Sequence, residues 1–141
     1  MNSKKLFHSF LLHLADSSLI LAQRNGEWCA HGPVLEQDIA ITNITLDLIG
    51  QSRNFYQYVA KLMSENTGST ETEDSLAYLR GEREFKNLLL SELPKGDWAQ
   101  TVLKQFFYSV FQQIVYEALK ILMMSRLLPS LPSLSRRFII M

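Results

Sequence analysis

A chain of 141 residues suits one domain with a modest core. Fourteen basic and fourteen acidic residues cancel to a formal net charge of zero, while hydrophobic residues make up 47% and charged residues 20%. That balance excludes a disordered polyampholyte and leaves no basic field for nucleic acid or an anionic membrane.

The chain starts with Lys4 and Lys5 ahead of LFHSFLLHLA, an imitation of a secretory leader. His8 and His13 interrupt the apolar run and Asp16 follows it. An amphipathic first helix over about 4–23 is therefore expected, with Leu6, Phe10, Leu14 and Leu21 on its apolar side and Asn25-Gly26 as its stop. No apolar run approaches the roughly 20 residues of a membrane span. The single cysteine, Cys29, leaves no internal disulfide and fits a reducing cytoplasm.

Residues 27–32, EWCAHG, form a short loop, and Trp28 predicts that Glu27, Trp28, Cys29 and His31 dock against the helices. Cys29 and His31 are two ligand types on one loop with no second pair elsewhere, too few for a metal. A Cys–His nucleophile lacks any visible orienting group.

The stretch that organises the rest is PVLEQDIAITNITLDLIGQSRNFYQY, residues 33–58. Pro33 suits a first helical turn, and the helix is expected to fade near Glu65. Apolar residues recur at helical spacing at Leu35, Ile39, Leu46 and Ile49, and again at Val34, Ile41, Ile44, Leu48, Phe55 and Val59. Between them runs a polar row, Glu36, Asn43, Asp47 and Asn54, on one side of the helix. The row reads either as a solvated stripe or as the polar lining of a helix bundle.

NTGSTETED is a polar loop, and a third helix is expected from about Glu73–Ser75 to Glu92, with Gly81 tolerated inside it. The mixed charges of Arg80, Glu82, Arg83, Glu84 and Lys86 read as a solvated helix face or a partner contact. Residues 93–96 form a turn, after which Asp97 with Gln100 opens a fourth helix to about Lys120. Its core face is read as Val102, Phe106, Val110, Phe111, Ile114, Val115, Ala118 and Leu119, and Phe106-Phe107-Tyr108 as packing. Four helices with short connections predict an all-α antiparallel bundle over residues 1–120.

Residues 121–141 differ in character. Residues 1–120 carry a charge of −3, with 11 basic against 14 acidic residues; the tail holds three Arg, no acid, Pro129 and Pro132, and no clean period. The tail reads either as a floppy, oily, disordered terminus or, preferably, as a frameshift after Lys120, since ordinary codons permit the shifted reading DSDDESLAAIAAKSVKEVHYH. The coding DNA checks it.

A carboxylate-bridged di-iron site takes a Glu from each of two helices and Glu-x-x-His from two others. The histidines are His8, His13 and His31, and none follows a Glu by three residues. No metal, catalytic or cofactor-binding residue is assigned, and no glycine-rich phosphate loop is present.

Three stretches together carry a resemblance: GEWCAHGPVLEQDIAITNITLDLIGQSRNF, DSLAYLRGEREFKNLLLSELPKGDWAQT and KQFFYSVFQQIVYEAL. In this order they resemble the C-subunit family of the bacterial phenylacetyl-CoA 1,2-epoxidases over about residues 6–120. The resemblance implies a ferritin-like helical bundle, truncated here to about four helices, and a structural subunit without its own cofactor. It implies a homologous A-type catalytic partner that carries di-iron, further oxygenase subunits, and a reductase subunit using NADPH, FAD and an iron–sulfur cluster. On it, Glu36, Asn43 and Asp47 are relics of, or polar replacements for, a metal-side row, and the location is cytoplasmic. Family members continue past this chain's end. Two alternatives remain: a free-standing ferritin-like di-iron enzyme and a generic helical adaptor.

Overall fold

The computed structural model describes residues 3–68 and 70–127. Among these the regular structure is helical throughout, as the sequence predicts: α1 (Ser3–Gly26), α2 (Leu35–Thr67), α3 (Glu73–Tyr78), a 3-10 turn (Glu82–Glu84), α4 (Leu89–Glu92) and α5 (Trp98–Leu127). Two compact units divide within α5, between Gln105 and Phe106.

In the first unit α1 and α2 lie antiparallel. Gly26 sits beside Thr45, the Ser52 hydroxyl donates to the Ala15 carbonyl at 3.0 Å, and Tyr56 reaches Asp16. Leu11, Ala15 and Leu19 of α1 meet Tyr56, Val59 and Ala60 of α2, and Leu76 of α3 closes the cluster. The two long helices hold together because each turns an apolar stripe to the other. α2 ends where Gly68 takes φ 65° and returns its N–H to Ser64 at 2.9 Å.

Boundaries depart from the sequence reading at the start of α2, in the third helix and at the end of α5. α2 starts at Leu35, two residues after Pro33, with Val34 extended as its N-cap. The third helix is not continuous. α3 opens with a reciprocal Thr72–Ser75 cap but stops at Tyr78, and residues 85–88 run extended before the single turn of α4. Gly81, read as tolerated in a helix, is extended at the N-cap of the 3-10 turn.

The cause is a better set of acceptors on α1. The Lys86 and Leu88 N–H groups donate to Asp16 Oδ2 at 2.8 Å and Ser17 Oγ at 3.0 Å. Backbone donors satisfied this way need no helix of their own.

α5 opens as predicted on Asp97, whose Oδ1 accepts the Gln100 N–H at 2.7 Å. Thr101 and Lys104 are buried in the first unit. In the second unit the buried positions are Tyr108 and Gln112, while Phe106, Val110 and Ile114, expected in the core, are exposed. A helix apolar on nearly every side cannot place all of those residues on a single buried stripe. The helix runs on to Leu127, past the change of character at Lys120. The frameshift reading begins after Lys120, and residues 128–141, on which most of it falls, lie outside the described residues.

Candidate functional site

The predicted polar row of α2 is exposed: Glu36, Asn43, Asp47 and Asn54 all face out of the first unit. Beside it lies an apolar row that is equally uncovered, with Leu35 71% and Leu46 61% exposed and Ile39 and Ile49 close behind. The second apolar set does the packing, since Ile41, Leu48 and Val59 are buried. Thus a 33-residue helix spends one face on α1 and leaves a mixed apolar and polar face open.

The 27–32 loop is docked through Trp28. The indole N–H donates to Thr101 Oγ1 at 2.8 Å, the Trp98 ring meets it edge-on with centroids 5.1 Å apart, and the Lys95 ammonium lies 4.5 Å from its ring centroid. Glu27 is held by Arg24 at 2.6 Å, and its carbonyl accepts from Lys95 Nζ. Cys29 and His31 are exposed and do not form a pair, because the His31 ring contacts the Cys29 carbonyl rather than its sulfur.

Asp38 ties the loop to α2, accepting the Ala30 N–H at 3.1 Å and the Gly32 N–H at 3.4 Å. Ala30 takes a left-handed φ of 65° to allow it. Buried Lys104 closes the corner by donating to the Leu93 and Pro94 carbonyls, and burial, with Arg24 nearby, pushes its ammonium below the usual lysine value.

A Cβ added at Gly32 would lie 2.7 Å from Asp38 Cβ and 2.9 Å from its Cα. Gly32→Ala is therefore expected to cost about 2 kcal/mol by overpacking, read as a fall in the chemical-denaturation midpoint at unchanged slope.

The feature sequence reasoning missed is a buried polar junction. Asp16, fully buried, accepts from Tyr56 Oη at 2.6 Å, from both Arg80 terminal nitrogens and from the Lys86 N–H. The Arg80 guanidinium also donates to the Glu84 carbonyl and lies 4.4 Å from the Phe85 ring centroid. A signal existed. Asp16 stands four residues after Leu12 and three before Leu19, so a carboxylate on that side of α1 needs a buried cation.

Burial first, then the Asp16 carboxylate, pushes the Tyr56 phenol far above the ordinary tyrosine range, and burial raises Tyr116. Stability from a raised pKa is complete below the unfolded value of 10.0 and is lost as pH climbs toward the folded one. For Tyr56 the expected slope above pH 10 is a loss of about 1.4 kcal/mol per pH unit, and Tyr56→Phe removes it.

Among the described residues no three His, Cys, Asp or Glu side chains converge on a point. Asp16 is spoken for by Arg80 and Tyr56, and Glu36 and Asp47 lie on an open helix face. The residues present do not fit a di-iron cage. What the geometry offers instead is helix surface: the open face of α2 and, in the second unit, the exposed Phe106 (59%), Phe107 (52%) and Ile114 of α5.

The family model for phenylacetic acid catabolic proteins matches residues 1–127. The C-subunit of the 1,2-phenylacetyl-CoA epoxidase of Escherichia coli (strain K12) is 46% identical over 111 residues, which are 79% of this chain and 43% of that protein. The chain spans less than half the length of that relative. Helical folding, the absent Glu-x-x-His and these two matches agree with the resemblance read from the sequence, and the chain belongs to the phenylacetic acid catabolic protein family.

Proposed function

We propose that this chain acts as the non-catalytic C-type subunit of a phenylacetyl-CoA epoxidase in phenylacetate breakdown. Its fold class, an all-α ferritin-like antiparallel bundle, is that of its family. Its role is to support a homologous, di-iron A-type subunit through helix–helix contacts in the cytoplasm. The reductase that serves the complex supplies NADPH-derived electrons through FAD and an iron–sulfur cluster, and other oxygenase subunits complete it. On this reading residues 1–120 provide the bundle portion, and Glu36, Asn43 and Asp47 are relics of, or polar replacements for, a metal-side row.

The observation that carries the reading is the 46% identity to an epoxidase C-subunit, in a chain whose histidines cannot form a Glu-x-x-His. The open apolar faces of α2 and α5 support it, since unpartnered apolar helix surface of this kind marks contact with another polypeptide.

Co-expression with an A-type subunit tests it. A tagged form of this chain is expected to retain the A-type subunit through purification. Its absence from the purified fraction, with both chains soluble, would contradict the proposal.

A further inference from the structure

The segment from Leu79 to Leu93 crosses α1 without a stripe of its own to bury. Leu79, Leu89 and Leu93 are exposed, and Phe85 and Leu88 are only half-buried. Phe85 packs against the α1–α2 cluster, and polar attachments add to it: Arg80 and the Lys86 N–H to Asp16, Lys86 Nζ to Ser9 Oγ at 2.8 Å, and the Leu88 N–H to Ser17 Oγ. A groove of about 590 Å³, lined by Ile20, Arg24, Glu27, Glu82 and Glu92, runs between this segment and the C-terminal half of α1. The α1–α2 pair, by contrast, is held by a continuous apolar cluster.

Segments fixed by hydrogen bonds and little apolar burial open at lower free energy than the core beneath them. Removing one partner of a buried ion pair leaves the other charge uncompensated, so the pair acts as a discrete fastening rather than a graded one. From this we infer that residues 79–93 form a strap that opens as a unit while α1 and α2 stay folded, with the buried Asp16–Arg80 pair as its latch. Asp16 serves both ends of that latch. One oxygen faces Arg80 and Tyr56, the other faces Arg80 and the Lys86 N–H. Ser17 is a second, weaker fastening that acts on Leu88 alone.

Native-state amide hydrogen exchange on the full chain tests this. In the wild type, the Lys86 and Leu88 amides are expected to exchange at least tenfold faster than the amides of residues 14–22 and 56–60. Arg80→Met and Asp16→Asn should each speed exchange at Lys86 and Leu88 by a further tenfold or more and leave those core amides within twofold of wild type. Ser17→Ala should speed Leu88 and spare Lys86. Equal acceleration in strap and core, no acceleration at Lys86 in either latch variant, or failure of both variants to fold would each overturn the inference.

Discussion

Changing Phe106 and Phe107 together to glutamate should abolish retention of an A-type subunit while making the isolated chain more soluble. Both rings are more than half exposed and lean on each other, with centroids 5.8 Å apart. They sit in a run of twelve residues, 105–116, that contains no charge. Exposed, uncharged aromatic surface promotes self-association when unpartnered and supplies the anchoring residues when partnered. Each aromatic anchor contributes about 2 kcal/mol or more, so losing both weakens binding on the order of a thousandfold. The opposite signs matter. A merely misfolded variant would lose the partner and solubility together. Pull-down yield and light scattering on the same preparation separate the two outcomes, and full retention of the partner would count against the proposed contact surface.

The second large effect belongs to the core. Leu11→Ala removes a buried side chain from the cluster in which α1 meets Tyr56, Val59, Ala60 and Leu76. The expected loss is about 3 kcal/mol, combining transfer of the deleted atoms and the cavity left behind. For a chain of this length that is roughly 10 °C in Tm. Leu35→Ala on the open face of α2 is the matched comparison: the same deletion at a site 71% exposed should change the isolated chain by less than about 0.5 kcal/mol. Thermal unfolding followed by circular dichroism reads both. Equal losses at the two sites would mean that α2 buries a different face from the one described.

Much of this architecture is legible in the residues. The period of α2 and the Asp97 cap depend on local spacing and chemistry, and each is where the sequence puts it. The break in the expected third helix is not legible, because its propensity is adequate and its competitor is remote. Nothing near Lys86 announces that Asp16, 70 residues earlier, will accept its N–H. Local propensity loses to such long-range polar contacts, and Gly81 with the out-of-place carboxylate on α1 are the visible hints. Which residues of α5 are buried is hidden for a different reason. Apolar residues surround that helix, so periodicity alone does not select between Phe106 and Tyr108. The buried stripe is the one that carries hydroxyl and amide groups, where Gln112 Nε2 donates to the Tyr108 and Tyr116 hydroxyls at 3.1 and 3.2 Å.

We propose that this polypeptide supports oxygenase chemistry without holding the metal that performs it. Iron analysis of the separately purified chain, expressed with ample iron, tests that most directly. The account predicts only substoichiometric iron, without the near-ultraviolet absorption of an oxo-bridged pair. Two tightly held iron ions per chain would contradict it.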